Sequence, residues 1–193
     1  MRPLKSQLHP RFAPCRMDED VVSARVHDTF VHVCGKQSVQ LVNNGNDVHP
    51  PKLSLTRISA FDVAPVAGKG QPYWPMLGCA DGKIQVLKDG DVYYSAQVEG
   101  AVTALVHNRE GIETLPGNKH AGRQEVVYGT QTGVVAQMFL DEQAARRGWV
   151  IAGKGLKPAP VTQVSADGCG CLRCRCAMTE PGAALRGGHV CCM

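Results

Sequence analysis

Residues 76–106, MLGCADGKIQVLKDGDVYYSAQVEGAVTALV, constrain the fold more than any other stretch, because short apolar runs alternate there with tight turns at Asp81-Gly82 and Asp89-Gly90. Asp-Gly flanked by alternating apolar residues is a strong hairpin signal, since the favoured two-residue turns need positive φ angles that glycine adopts at no steric cost. Ile84 and Val86 fall on one face of a strand and Gln85 and Leu87 on the other, while Val92 and Tyr94 alternate with Tyr93 and Ser95. The stretch predicts an antiparallel meander, and no catalytic pattern interrupts it.

The unit repeats. Residues 129–138, GTQTGVVAQM, follow residues 78–87, GCADGKIQVL, at a spacing of 51, which sets Gly129 and Gly133 on Gly78 and Gly82 and Val135 on Ile84. A fainter copy lies at residues 33–42, where Ser38 to Val42 matches Lys83 to Leu87 at a spacing of 45. Residues 161–164, VTQV, echo residues 102–105, VTAL, as the start of another unit. Spacings of this size fit a four-stranded unit with variable loops, the sequence mark of propeller blades at roughly 40 to 50 residues each. The expected fold is therefore all-β: a partial β-propeller of about three four-stranded antiparallel blades over residues 18–166 with disordered ends. Those ends are a basic leader at 1–17 and a Cys-rich tail at 167–193.

In chain order, residues 21–33 read as two short strands around a His27-Asp28 turn, followed by a strand at 37–42 and the turn residues 43–47. Residues 53–63 read as one β-like run, 65–75 as a loop rich in glycine and proline, and 108–124 as a long polar surface loop. Strands resume at 125–130, 134–140 and 149–152, with one helical turn or an irregular link at 141–148. Four-stranded sheets are thus expected around 76–98 and over 102–152. Past residue 166 the apolar alternation stops, so the tail reads as unrelated to the repeats. A blade buries its faces against its neighbours, and an arc of three is expected to leave two bare apolar faces and to associate.

Composition excludes several classes. A chain of 193 residues suits one domain on the prior of roughly 100 to 200 per domain. Hydrophobic residues make 44%, yet no apolar run approaches the ~18 residues of a spanning helix. The first sixteen residues are basic and acid-free, but Pro3, Pro10 and Pro14 break any amphipathic helix and no apolar segment follows, which argues against a transit or secretory peptide. Removing four basic residues of the leader and three basic and one acidic of residues 168–193 leaves a body with fourteen basic and sixteen acidic residues. Nucleic-acid binding is not expected of a body that concentrates neither Lys and Arg nor aromatics on one surface.

Motifs of chemistry are weak. Residues 148–155, GWVIAGKG, nearly spell a phosphate-binding loop, but Gly155 replaces the terminal hydroxyl and Pro158 and Pro160 forbid the helix that should follow. Asp89-Gly90-Asp91 and residues 43–47 offer too few oxygens for calcium, which takes six to eight. Six of the nine cysteines crowd the last 25 residues. Cys169, Cys171, Cys174 and Cys176 are the candidate metal ligands, since tetrahedral zinc takes four thiolates; His189, Cys191 and Cys192 would complete a second site. Their spacing is poor, because all four sit within eight residues where zinc ribbons separate two pairs by about a dozen. The competing reading is a divergent terminus with unconstrained cysteines. Without a secretory signal a disulfide framework is not the default, and Cys34 and Cys79 read as small buried strand residues. The terminal Cys-Cys-Met is not a prenylation box, which needs cysteine where Val190 stands. His27, His32, His49 and His107 read as structural, and no nucleophile elbow, zinc-protease helix or carboxylate pair occurs, so no catalytic residue is assigned.

Residues 78–87, 90–98 (GDVYYSAQV), 103–108 (TALVHN) and 128–133 (YGTQTG) together resemble the N-terminal β-propeller of the Bardet-Biedl syndrome 7 protein family. These are subunits of the BBSome, the coat-like complex that carries membrane cargo into and out of cilia. The resemblance is most specific over residues 77–151, weaker over 18–60 and absent in the leader and tail. It implies a non-enzymatic interaction module without cofactor that acts in ciliary trafficking and cilium assembly, with other BBSome-like subunits and ciliary trafficking proteins as partners. It further implies a place in the cytoplasm, cilium and basal body, with peripheral membrane association only through the complex. In the family the propeller has seven blades and is followed by a coiled coil, an ear-like domain and a helical end, so a chain with about three blades reads as a truncated or alternatively spliced form. The second function reading is a small metal-binding or redox protein acting through the C-terminal cysteines.

Overall fold

A computed structural model describes residues 17–43, 46–47, 52–54, 56–65, 73–108, 124–140, 143, 145, 147–150, 160–166 and 172–176. Residues 1–16, 167–171 and 177–193 of the expected disordered ends, the 109–123 part of the long loop and His49 lie outside them. Among the described residues there is no helix.

Three antiparallel sheets and a hairpin follow one another along the chain. The first sheet orders β1 (Val21–His27), β2 (Phe30–Gly35), β3 (Ser38–Asn43) and β4 (Asn46–Asp47), with β5 (Lys52–Leu53) also on β3. The second orders β6 (Ile58–Ala64), β7 (Trp74–Cys79), β8 (Lys83–Lys88) and β9 (Asp91–Gln97). The third orders β10 (Val102–Asn108), β11 (Glu125–Thr130), β12 (Val134–Phe139) and β13 (Arg147–Val150), and the hairpin pairs β14 (Val161–Ala166) with β15 (Leu172–Cys176). The sheets expected around 76–98 and over 102–152 are the second and third. The spacings of 45 and 51 hold as well, since they relate the first residues of β3, β8 and β12.

Strands β1, β6, β10 and β14 stand side by side as the first strands of successive units, the arrangement of propeller blades. All four carry a bulge at the same place, between Val21 and Ser23, Ile58 and Ala60, Val102 and Ala104, and Val161 and Gln163. A bulge raises the local twist, which lets each first strand turn toward the next blade.

The run read as continuous over 53–63 is divided between two blades. Ser54 N–H donates to Gln37 O at 2.6 Å, and Ile58 N–H donates to Lys36 O at 2.6 Å, so the connection is held against the turn between β2 and β3. The first turn sits at Asp28-Thr29 rather than His27-Asp28, with Asp28 at φ 52°. Asp89 and Gly90 both have positive φ, 50° and 85°, as a two-residue hairpin turn requires. Asp81-Gly82 differs from that expectation: residues 80–82 form a three-residue connection in which Gly82, at φ 81°, takes the left-handed place while Asp81 Oδ1 accepts Lys83 N–H at 3.1 Å.

The core lies between sheets, so strands bury both faces and lose the plain alternation of apolar with polar residues. Met76, Ile84, Val86, Tyr94, Val102, Val126 and Tyr128 fill the seam between the second and third sheets. Cys34, Ile58, Phe61, Leu77, Cys79 and Leu87 fill the seam between the first and second, and Ala104, Val127, Val135, Val161 and Val164 the seam beside the last hairpin. Neighbours in sequence therefore serve different blades, as Met76 and Leu77 do. Val92 does not join Tyr94 in the core and is 51% exposed, because a register shift between Val86 and Leu87 displaces the start of β9.

Val21 and Val26 on the outer side of the first sheet are 57% and 66% exposed, an apolar face as expected, and on β14 Thr162 and Gln163 are exposed. One expectation about the tail changes: the strand pattern continues past residue 166. Leu172–Cys176 pairs with β14, because β14 has a backbone edge to satisfy and the alternating residues 172–176 are compatible with a strand.

Candidate interaction surface

The seams explain how blades are held in register. Ser59 and Thr103 occupy the bulges of β6 and β10. Ser59 Oγ donates to Val102 O, with Gly78 O at 3.2 Å, and Thr103 Oγ1 donates to Val161 O at 2.6 Å, with Gly129 O at 3.3 Å. Each hydroxyl thus ties its own sheet to the first strand of the next. Gly78 and Gly129 make room for that strand: an added Cβ would lie 2.5 Å from Val102 Cγ1 or 2.4 Å from Val161 Cγ1. By register the same position on β2 holds Cys34 and on β15 holds Arg175.

A buried carboxylate joins three blades. Asp62 on β6 is 5% exposed, pairs with Arg25 Nε of β1 at 2.8 Å and accepts His107 N–H of β10 at 2.7 Å. Replacing Asp62 with alanine strands a buried N–H and frees a cation, for an expected loss of about 2 kcal/mol in chemical denaturation. Arg25→Ala leaves the buried carboxylate without its cation and is expected to cost as much, roughly 2 kcal/mol.

Cys34 and Cys79 are buried in strands, as expected, and two of the histidines pack within the fold. His32 is fully buried, with Nε2 at 2.8 Å from Tyr73 O, and burial lowers its pKa to about 4. His27 stacks on Tyr73 at 4.0 Å between ring centroids. Burial raises the Cys34 thiol to about 12 and the Cys79 thiol to about 11, so neither is a nucleophile at neutral pH. Both are expected to resist iodoacetamide in the native protein and to react after denaturation; mass spectrometry of the alkylated peptides reads this directly.

Of the candidate zinc ligands, Cys169 and Cys171 lie outside the described residues, while Cys174 and Cys176 are on β15 as register partners of Val164 and Val161. Among the described residues no group of three or more His, Cys, Asp or Glu side chains is placed to hold a metal ion. Sequence reasoning missed a different feature, an aromatic cluster on one rim of the second sheet. Trp74 at the start of β7 meets Tyr93 of β9 with centroids 5.0 Å apart, and Lys88 Nζ lies 5.4 Å and 5.7 Å from the two rings. Tyr93 is 63% exposed. Tryptophan and tyrosine are the usual anchors of protein interfaces, and Tyr93 was legible only as one residue of an alternating strand.

The profile of the BBS7 beta-propeller family matches residues 12–172. The chain belongs to the BBS7 beta-propeller family. Its match to the family ends at the first residue of β15, before the position where Arg175 replaces the seam glycine. No curated protein sequence matches the chain. Among solved structures it is similar to the WD40 beta propeller domain of Doa1, at 14% identity and TM-score 0.59 over 82% of this chain and 48% of that one. The computationally designed Ika4 protein is similar at 12% identity and TM-score 0.61, over 88% and 93% of the two chains. BBS1N, in complex with ARL6DN, is similar at 13% identity and TM-score 0.55, over 76% and 43%. The chain spans about half the length of the Doa1 and BBS1N chains. At these identities the likeness is one of fold.

Proposed function

We propose that this BBS7-type propeller is a non-enzymatic interaction module of a BBSome-like complex acting in ciliary membrane-protein trafficking. The observation that carries the reading is the BBS7 beta-propeller match over residues 12–172. The structure adds a physical reason: the strand side chains are committed to seams between sheets, which leaves rims, edges and the outer face of the first sheet for partners. The similar BBS1N structure contains a protein partner, ARL6DN, and supports the same mode of action here. Among the described residues no helix is long and apolar enough to cross a membrane, and membrane association is assigned to the complex.

The test is co-expression of the tagged full chain with BBSome-like propeller subunits, followed by affinity purification and imaging of the fluorescently tagged chain in ciliated cells. Stoichiometric co-purification and enrichment at the basal body or cilium are expected. A chain that elutes alone in the presence of every subunit and spreads evenly through the cell overturns the reading.

A further inference from the structure

We propose that the outer edge of β9 is a docking site for an extended partner segment that places a carboxylate at Lys88 and apolar residues beside Tyr93 and Val92. The inference deepens the interaction-module reading and rests on it. It begins with the backbone. β9 ends the strand order of its sheet, and among the described strands none pairs with its outer side. It is seven residues long, where the last strands of the first and third sheets have two and four. A long edge exposes unpaired amide and carbonyl groups that an added strand satisfies, and natural edges are usually blunted by lysine, proline or shortness. The residues 91–97, DVYYSAQ, contain no lysine and no proline.

The side chains narrow the occupant. Val92 and Tyr93 are 51% and 63% exposed, two of the four large hydrophobic residues most exposed among those described. Tyr93 is backed by Trp74, so an apolar side chain on the incoming strand meets a ring already held in place, which lowers the ordering cost of binding. Lys88 is the register partner of Asp91, and its ammonium lies over the rings of Trp74 and Tyr93. A cation held on an aromatic platform is complementary to a carboxylate arriving on the ring side. The buried residues Tyr94 and Ala96 anchor the same strand to the core, so the edge is presented on a rigid scaffold.

The experiment selects a displayed library of random peptides of about twelve residues on the full chain and measures synthetic peptides from the selection by fluorescence anisotropy. The expected sequences are acidic at one end with alternating apolar residues beyond, and binding protects from hydrogen exchange those amides of residues 92–97 that point away from β8. Tyr93→Ala and Lys88→Glu each weaken binding about tenfold. Ser95→Pro removes it if the variant folds; if it does not, N-methylation of alternate peptide amides tests the same backbone pairing with the protein untouched, and loss of binding is expected. Selection of nothing, of helical or proline-rich peptides, or of peptides indifferent to these changes overturns the site. Concentration-dependent dimerisation that Tyr93→Ala abolishes also overturns it, assigning the edge to a second copy of the chain. Co-purification with BBSome-like subunits that survives the edge variants removes this site and leaves the module reading standing.

Discussion

Substitution of Gly78 by valine is expected to lower stability by about 3 kcal/mol, because overpacking a rigid core costs this much when the neighbours cannot move. The position is confined from two sides: a Cβ there would lie 2.5 Å from Val102 Cγ1 and 3.0 Å from Ala60 Cβ. Val102 is fully buried, its β-branched side chain has few rotamers to retreat into, and its carbonyl is tied to Ser59 Oγ. Alanine at Gly78 is expected to cost about 2 kcal/mol by the same clash. Val102→Ala removes the closest atom, so the double variant Gly78→Ala with Val102→Ala should be less unstable than the sum of the singles, with a coupling of about 1 kcal/mol in urea denaturation. Strict additivity would show that the two positions do not meet. Gly129, facing Val161 in the next seam, is expected to behave alike.

Acidification from pH 6.5 to 4 is expected to remove about 3 kcal/mol of stability through His32 alone. Its folded pKa is about 4 against an ordinary value of 6.5, chiefly because the imidazole is buried. Within that window the unfolded chain binds a proton that the folded chain refuses, so stability falls as pH drops through 6.5 and levels off below about 4. The geometry agrees with the direction: Nε2 is at hydrogen-bond distance from Tyr73 O, and buried Nδ1 has no acceptor to receive a second proton. His32→Gln retains an amide donor and cannot titrate. Subtracting its denaturation midpoints from those of the wild-type chain, measured between pH 4 and 7, should isolate the His32 contribution; a flat difference would place His32 in solvent.

Hairpins, blade spacing and class were legible because local rules write them. Asp89-Gly90 folds as its positive φ angles demand, and the spacings of 45 and 51 fall on the starts of β3, β8 and β12 because each unit must present the same strand to the same seam. Legibility failed where one residue serves two levels at once. Leu87 does lie on the far side from Val86, as the alternation predicts, but local rules do not say which seam each fills: Leu87 fills the first and Val86 the second, since a sheet between two others has no solvent face. The candidate surface was least visible. Trp74 and Tyr93 are 19 positions apart, and only the pairing of β7, β8 and β9 brings their rings together under Lys88.

By itself, then, the sequence determined an all-strand chain, the positions of its turns and the repeat of its units, because turn chemistry and period-two spacing act within a few residues. Tertiary structure alone decided which glycines are seam positions, that Asp62 joins Arg25 of one blade to His107 of another, and that residues 172–176 pair with β14. These facts depend on contacts between strands dozens of residues apart, where the identity of the neighbour, rather than the residue's own preference, sets its environment.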